Sequence, residues 1–273
     1  MYICPVCKKI LKENENNYLC KNGHSFDKAA EGYVHLLPVS KMHSKIPGDN
    51  KLMVNARRSF FATGGYDIFK DEISRLVCNQ TQSEKQPVIV DAGCGEGYYT
   101  GQVQALLAQQ QKSSRILAFD ISKFAVKAAA KRYKGINFSV ASIFDIPITD
   151  HCADCVMCVF APIVEKEFYR VLKPGGTLIL AVPGPRHLWQ LKQVLYENPY
   201  LNQQQDIQYE GFILEQRVPV KGEITLNNNE MIQNLFSMTP YYYKTPRDGA
   251  EKLAQLSTLT TEIHFDLLVY RAV

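Results

Sequence analysis

The sequence predicts an α/β fold whose core is a doubly wound parallel sheet, preceded by a small cysteine-rich N-terminal module. From Val88 onward, segments of strand and helix character alternate, as a parallel sheet with crossover helices requires. The expected strands lie near 88–92, 115–120, 136–141, 154–160 and 177–182, and the expected helices near 98–110, 123–133, 164–171 and 187–197. With 273 residues, 46% of them hydrophobic, the chain can form one full core and a small appendage.

The N-terminal module carries two close pairs of metal-ligating residues. Cys4 and Cys7 form a Cys-x-x-Cys turn, and Cys20 and His24 follow after a short polar connection. Four such ligands complete a tetrahedron around Zn²⁺ and leave no position for water, so we expect a structural zinc site in residues 1–37. The segment is too short to fold on its own core, so the ion would supply folding free energy. The alternatives are four residues scattered in an ordinary loop and a redox pair, although no βαβ pattern surrounds the cysteines.

Residues 38–80 are expected to form a linker and a helical lid segment between this module and the sheet domain of residues 81–273. Helices are predicted over 51–62 and 67–77. The basic residues of the linker and of the first helix are Lys41, His43, Lys45, Arg57 and Arg58.

The C-terminal part predicts an antiparallel pair that closes the sheet. Two strand-like segments, near 212–220 and 262–271, flank a helix near 228–237. A second cysteine cluster lies in the fourth expected strand, but Cys155 and Cys158 would point to opposite faces. We therefore interpret these two cysteines as small buried hydrophobic residues.

A glycine-rich turn follows the first strand of the sheet. The apolar run from Val88 to Val90 leads into three alternating glycines, Gly93, Gly95 and Gly97. Glycine lets a turn pass close to a ligand in conformations that a Cβ forbids, and a helix starting at Tyr98 would direct its N-terminal amides there. The next strand-ending acid, Asp120, lies further on than the roughly 20 residues typical of dinucleotide sites. The spacing therefore indicates a nucleotide-like cofactor other than a nicotinamide.

Composition limits the partners and the compartment. The chain has 31 basic and 27 acidic residues, and its net charge of +4 means that a polyanion would have to bind local patches. The start of the sequence lacks the pattern of a secretory signal, and no run approaches the roughly 20 apolar residues of a membrane span. We expect a cytoplasmic protein whose eight cysteines are reduced or metal-bound.

Several motifs, in the same order along most of the chain, carry a family resemblance. They are Cys4-Pro5-Val6-Cys7, Cys20-Lys21-Asn22-Gly23-His24, Glu31-Gly32-Tyr33-Val34, Pro47-Gly48-Asp49, Gly65-Tyr66, the glycine loop, Leu172-Lys173-Pro174-Gly175-Gly176 and Pro183-Gly184-Pro185-Arg186-His187. The glycine loop and Asp120 resemble the Rossmann-like class I S-adenosylmethionine-dependent methyltransferases. The complete set resembles the 23S rRNA (guanine-N1)-methyltransferases, zinc-containing enzymes that modify a guanine in a hairpin loop of large-subunit ribosomal RNA.

This resemblance implies a binding site for S-adenosylmethionine. The residues expected to contact the cofactor are Gly93, Gly95 and Glu96 at its methionine part, Asp120 at its ribose, and Tyr66 and His187 at further positions. Asp145, after the third strand, is a candidate for contact with the adenine amine. Guanine N1 must lose a proton, so a carboxylate is expected near the acceptor. Glu165 is the first candidate for this catalytic base and Asp49 the second, with a solvated surface acid as the alternative for both.

The implied partner is an RNA hairpin loop with an unpaired or flipped guanine. The candidate phosphate contacts are Arg57, Arg58, Lys127, Lys131, Arg132 and Arg186, beside the zinc module and the basic linker. Trp189 and Tyr241, Tyr242 and Tyr243 are candidates for base stacking or for core packing. The sequence leaves the oligomeric state open, with a homodimer as one alternative.

Three other functions stay open at this point. The chain could methylate a small molecule and use zinc only structurally, or it could be a catalytically silent RNA-binding protein on the same scaffold. A dehydrogenase is the third alternative.

Overall fold

The computed structural model describes residues 1–42, 44, 47–204 and 207–273. His43 and Lys45 of the basic linker lie outside these described residues. The N-terminal module contains an antiparallel three-stranded sheet of β1 (Leu11–Glu13), β2 (Asn17–Cys20) and β3 (Ser25–Asp27), followed by the short strand β4 (Val34–His35). Among the described residues, no helix combines the length and the apolar character of a membrane span.

Two helices and an alternating α/β unit follow. The helices of the lid segment are α1 (Lys51–Ala62) and α2 (Asp67–Gln80). The unit then runs β5 (Val88–Ala92), α3 (Tyr98–Gln109), β6 (Arg115–Asp120), α4 (Lys123–Arg132), β7 (Asn137–Val140), β8 (Ala153–Val159), α5 (Glu165–Val171) and β9 (Leu172–Pro183). The remaining elements are α6 (Trp189–Leu195), β10 (Phe212–Leu226), α7 (Asn229–Ser237), α8 (Arg247–Ala254) and β11 (Leu259–Ala272).

The central sheet has eight strands in the order β10-β11-β9-β8-β5-β6-β7-β4. The six strands from β9 to β4 run parallel, and β11 and β10 complete the sheet as an antiparallel pair. The predicted α/β class and the antiparallel closing pair are therefore confirmed. The expected turn at Lys173–Gly176 lies within β9, where the register between β8 and β9 shifts.

The N-terminal module is joined to this sheet, which the sequence did not predict. Strand β4 pairs in parallel with β7, and the backbone N–H of Leu36 donates to the carbonyl of Val140 at 2.8 Å. Tyr2 packs edge-on against Phe119 of β6, with 6.2 Å between ring centroids. The module therefore shares a hydrophobic core with one face of the sheet.

The cysteines of β8 behave as the alternation of a strand requires. Cys155 is fully buried in the core on one face of the sheet, and Cys158, 2% exposed, lies in the core on the other. The interpretation of both as buried hydrophobic residues is confirmed.

Candidate active site and metal centre

The four predicted metal ligands meet in the N-terminal module. The Sγ atoms of Cys4, Cys7 and Cys20 and a ring nitrogen of His24 all lie within 4.8 Å of one another. Cys7 Sγ is 3.7 Å from Cys20 Sγ, and His24 Nδ1 is 3.5 Å from Cys4 Sγ and 3.3 Å from Cys20 Sγ. A zinc tetrahedron with Zn–S bonds of ~2.3 Å and a Zn–N bond of ~2.0 Å has edges of about 3.5 to 3.8 Å, so the ligand set fits this ion.

The local backbone brings the two ligand pairs together. The N–H of Lys8 donates to the carbonyl of Cys4 at 2.8 Å, and the N–H of Gly23 donates to the carbonyl of Cys20 at 3.0 Å. Lys8 and Gly23 have φ angles of 60° and 81°, so each pair is held by a tight turn through the left-handed region. The site is structural in character because all four positions come from the protein.

A cavity of about 560 Å³ opens where the parallel strands end. Its volume is typical of small-molecule and cofactor sites. All six residues predicted to contact the cofactor line it, namely Tyr66, Gly93, Gly95, Glu96, Asp120 and His187. Asp49 also lines the cavity, whereas Glu165 is not among the described residues of its wall.

The glycine loop requires glycine for two reasons, the conformation of its backbone and the lack of space for a side chain. Gly93, Gly95 and Gly97 have φ angles of 91°, 53° and 81°. A Cβ on Gly93 would lie 2.4 Å from the Cβ of Ala161, which follows strand β8. The N–H groups of Gly93 and Cys94 both donate to the carbonyl of Phe119, at 2.8 and 2.9 Å. The loop is thus fixed between the ends of β6 and β8.

Asp120 connects the end of β6 to this loop. Its Oδ2 accepts the backbone N–H of Gly95 and its Oδ1 accepts that of Ser122, each at 2.8 Å. Burial raises the pKa of Asp120, and the two backbone N–H groups lower it. A carboxylate has about four acceptor positions, so two remain for the vicinal hydroxyls of a ribose.

Glu96 is a buried acid without a hydrogen-bond partner. The residue is 2% exposed, and both carboxylate oxygens lack a partner among the described residues. Burial raises its pKa to about 7, while the charges of Arg132, Arg58 and Arg57 act in the opposite direction. The hydroxyl of Tyr99, which also lines the cavity, is unpartnered within the same described set. Unpaired buried polar atoms are costly, so these groups fit a polar ligand such as S-adenosylmethionine, which carries an ammonium and a sulfonium charge.

His187 is held as a neutral hydrogen-bond donor. Burial, followed by the charges of Lys192 and His264, lowers its pKa to about 3. Its Nδ1 accepts the backbone N–H of His264 at 3.3 Å, so the ring hydrogen lies on Nε2. Tyr66 lies nearby, with its ring centroid 6.1 Å from that of His187. The rings of Phe60 and Phe265 pack edge-on against Tyr66, each at 4.9 Å.

Comparison with known proteins assigns both parts of the chain. A zinc-ribbon family described as "RlmA, N-terminal" matches residues 2–45, and a methyltransferase-domain family matches residues 83–233. A Streptomyces fradiae protein named 23S rRNA (guanine(748)-N(1))-methyltransferase is 32% identical over 193 residues, which are 70% of this chain and 66% of that protein. A Micromonospora griseorubida protein, provisionally named a 23S rRNA (guanine-N1)-methyltransferase, is 32% identical over 205 residues, 69% of this chain and 67% of that protein.

The chain belongs to the 23S rRNA (guanine-N1)-methyltransferase family. A Bacillus subtilis (strain 168) relative with the same provisional name is 27% identical over 280 residues, covering 98% of this chain and 96% of the relative. The protein is therefore an S-adenosylmethionine-dependent methyltransferase with an N-terminal zinc ribbon.

A short strap of this methyltransferase, Gly48 and Asp49, forms part of the cavity wall. Gly48 has a φ of 71°, and a Cβ there would lie 2.8 Å from the side chain of Ile121. The hydroxyl of Ser122 donates to the carbonyl of Asp49 at 2.6 Å, and Arg57 Nη1 lies 2.8 Å from Asp49 Oδ2. Arg57, expected on sequence grounds to contact phosphate, is thus also a wall residue of the cavity.

Two acids that the sequence predicted near the site, Asp145 and Glu165, lie outside the described wall of the cavity. Asp145 pairs with Lys8 at 2.5 Å and with Lys41, so it links the zinc ribbon and the linker to the sheet domain. Although burial raises the pKa of Asp145, these ammonium groups hold it below its ordinary value. Glu165 begins helix α5. Neither acid is among the described residues that line the cavity, so the expected adenine contact of Asp145 has no support in this arrangement.

The candidate phosphate contacts differ in how strongly they are paired with carboxylates of the chain. Arg186 forms a forked ion pair with Glu262, with Nε–O distances of 2.8 and 3.0 Å. Lys127 lies 3.2 Å from Glu31, and Arg58 lies 3.8 Å from Glu96 with half of its side chain exposed. Arg58 is therefore more available to an anion than Arg186.

Proposed function

We propose that this methyltransferase transfers the methyl group of S-adenosylmethionine to N1 of a guanine in a hairpin loop of large-subunit ribosomal RNA, in the cytoplasm. The observation that carries the proposal is that a cofactor-sized cavity and a Cys₃His zinc ribbon, which matches the RlmA N-terminal family, are joined through strand β4 and a shared hydrophobic core. Relatives of 27% to 32% identity carry names of this activity. The zinc ribbon packs on the domain that carries the cavity, which supports a macromolecular acceptor.

The contacts of the cavity residues support the roles that the family resemblance implies for them. The backbone of Gly93 and Gly95 and the carboxylate of Glu96 would hold the methionine part, Asp120 the ribose hydroxyls, and Tyr66 and neutral His187 would complete the pocket. When bound, the cofactor supplies a sulfonium-activated methyl group that needs little further activation. The protein's contribution is to hold the acceptor nitrogen in line with the methyl–sulfur bond and to exclude water.

Asp49 is the better placed of the two candidate bases. Its Oδ2 is engaged by Arg57, which leaves Oδ1 to accept the proton that guanine N1 must lose. It lies on the strap at the cavity, whereas Glu165 is outside the described wall. We therefore assign the proton-accepting role to Asp49 in preference to Glu165.

The proposal is tested with purified enzyme, labelled S-adenosylmethionine and ribosomal RNA from cells that lack the gene. Label should enter large-subunit RNA, and primer extension should stop at one guanine, because methylation at N1 blocks Watson–Crick pairing. The Asp49→Asn variant should bind the cofactor normally and transfer far more slowly. Label in small metabolites with none in RNA would support the small-molecule alternative. Full rescue of a deletion strain by Gly95→Asp would support a catalytically silent RNA-binding protein.

A further inference from the structure

Phe160 has a backbone conformation that is unusual for a bulky residue. It follows the last residue of β8 and has a φ of 55°, in the left-handed region that favours glycine. Strained conformations of this kind persist where the surrounding structure enforces them, and they cluster at functional sites. The next residue, Ala161, is fixed against the glycine loop by the contact described above.

The ring of Phe160 is supported from the protein interior and open on the other side. It stacks on Phe69 with centroids 5.5 Å apart and planes at 29°, and it lies 5.3 Å from Phe265. Both supporting rings are fully buried, whereas Phe160 is 47% exposed. Of the described aromatic residues that line the cavity, Phe160 is the one with an exposed side chain. The cavity therefore has one rigidly backed aromatic surface that is accessible to a ligand.

This surface lies beside two residues that are proposed to contact the cofactor. Gly93, a proposed contact of the methionine part, packs directly against Ala161, the neighbour of Phe160 in the chain. On the other side, Phe265 contacts Phe160 and lies 4.4 Å from the ring of His187. Phe160 thus stands between two proposed cofactor contacts, at the cavity wall where an acceptor would meet the methyl group.

The sequence candidates for base stacking are placed differently. Trp189, Tyr242 and Tyr243 are not among the described residues that line the cavity, and Arg186 covers Trp189 with its guanidinium 5.5 Å from the ring. Tyr241 lines the cavity but is only partly exposed, and Lys192 lies 5.4 Å from its ring centroid. An exposed ring beside the glycine loop is the better platform.

A base that leaves its stack loses favourable contacts, and proteins replace them by stacking the base on aromatic side chains. We propose that Phe160 is the platform on which the acceptor guanine stacks, with its N1 edge directed toward the methyl group. This inference rests on the proposed function, because it takes a purine base of RNA as the acceptor.

The test compares Phe160→Leu, Phe160→Gly, Phe160→Tyr and Phe160→Trp with the wild-type enzyme on the same ribosomal RNA. We expect Phe160→Leu to lower kcat/KM for RNA roughly 10- to 100-fold, the range given by a lost base–aromatic stack. Tyr and Trp should keep kcat/KM within about threefold, because both retain an aromatic face. The equilibrium Kd for S-adenosylmethionine should stay within about twofold in all four variants.

Two controls separate the ring from the fold. Phe160→Gly relieves the left-handed backbone, so its Tm should equal or exceed that of Phe160→Leu while its activity is equally low. Phe144→Leu removes another exposed aromatic residue, 66% exposed and outside the described cavity wall, and should leave kcat/KM unchanged. Wild-type kinetics in Phe160→Leu, or a loss confined to cofactor affinity, would overturn the stacking inference alone. If the wild-type enzyme methylates no RNA, the proposed function and this inference both fail.

Discussion

The carboxylate of Asp120 accepts the backbone N–H of Gly95 with 2.8 Å between Oδ2 and N. This bond joins two features that are 25 residues apart in the chain, the end of β6 and the middle of the glycine loop. It makes the proposed ribose contact and the proposed methionine contact one hydrogen-bonded unit. A change at either position is therefore expected to alter the whole cofactor site.

Asp120→Asn should weaken binding of S-adenosylmethionine about 10- to 100-fold. One acceptor oxygen becomes an NH₂ group, which faces a backbone N–H of Gly95 or Ser122 and leaves a buried donor unpaired, at a cost of roughly 1 to 3 kcal/mol. Isothermal titration calorimetry measures the change. Asp150→Asn is the matched control, since Asp150 is 64% exposed and pairs with Arg170. Equal affinities for Asp120→Asn and the wild type would contradict the assignment.

Gly93→Ala should reduce cofactor affinity more than Gly175→Ala. Both glycines have left-handed backbones, with φ of 91° and 74°, so both substitutions introduce strain of roughly 1 to 2 kcal/mol. Only at Gly93 would the new methyl group meet Ala161, whereas at Gly175 it would meet nothing within 4 Å in the described structure. Both variants should lose Tm, Gly93→Ala the more because of this clash, and we expect a loss of cofactor binding of more than about tenfold only in Gly93→Ala. Normal binding by Gly93→Ala would show that the loop does not depend on this close approach.

The buried Glu96 should make the cofactor-free protein less stable as pH rises. Burial raises its folded-state pKa from 4.5 to about 7, so between these values the folded chain keeps a proton that the unfolded chain has released. The free energy of unfolding should therefore fall from about pH 4.5 to about pH 7, by at most about 3 kcal/mol from this residue. Urea unfolding of the wild type and Glu96→Gln at several pH values measures it.

Glu96→Gln should flatten this pH dependence and raise stability above pH 7. Part of the slope should remain, because burial also raises the pKa of Asp91 to about 7. Glu223→Gln, at an exposed position, is the control and should keep the wild-type slope. An identical slope in Glu96→Gln and the wild type would mean that Glu96 is ionised at lower pH than its burial implies.

Removal of zinc should loosen the N-terminal module and the face of the sheet beneath it. The Tyr2 hydroxyl lies 2.6 Å from Ser139 Oγ of β7 in a buried contact, and Tyr2 is two residues from the ligand Cys4. We expect one zinc per chain by elemental analysis, and its loss by chelation or Cys20→Ser should expose residues 1–37 to proteolysis. Cys152→Ser, which changes a partly exposed cysteine outside the ligand set, should retain the metal. Full zinc content in Cys20→Ser would exclude this ligand assignment.

Much of the fold and of the cofactor site could be predicted because the signals are local. Buried parallel strands are continuous apolar runs, the ligand pairs are close in sequence, and the alternating glycines mark a turn with left-handed residues. Strand β4 has two residues, too few for any periodic pattern. No local signal could have found it.

The remaining features depend on residues far apart in the chain. Arg186 is engaged by Glu262, 76 residues away, and Asp145 by Lys8, 137 residues away. The exposure of Phe160 depends on how Phe69 and Phe265 pack beneath it. In the sequence, Phe160 is simply the last apolar residue of a buried strand, and a positive φ angle carries no sequence signature in a phenylalanine.

The pairing of β4 with β7 joins the N-terminal module to the sheet that carries the cavity. The ribbon's own strands form a separate three-stranded sheet, and a shared hydrophobic core and the Lys8–Asp145 ion pair hold this sheet against the central one. The ribbon therefore has a set position relative to the cavity. Under the proposed function, an RNA element bound by the ribbon would place one nucleotide, at a set distance along its fold, over the cavity. The distance between the ribbon and the cavity would then help to select the guanine, so the choice would depend on RNA geometry as well as on the identity of the base.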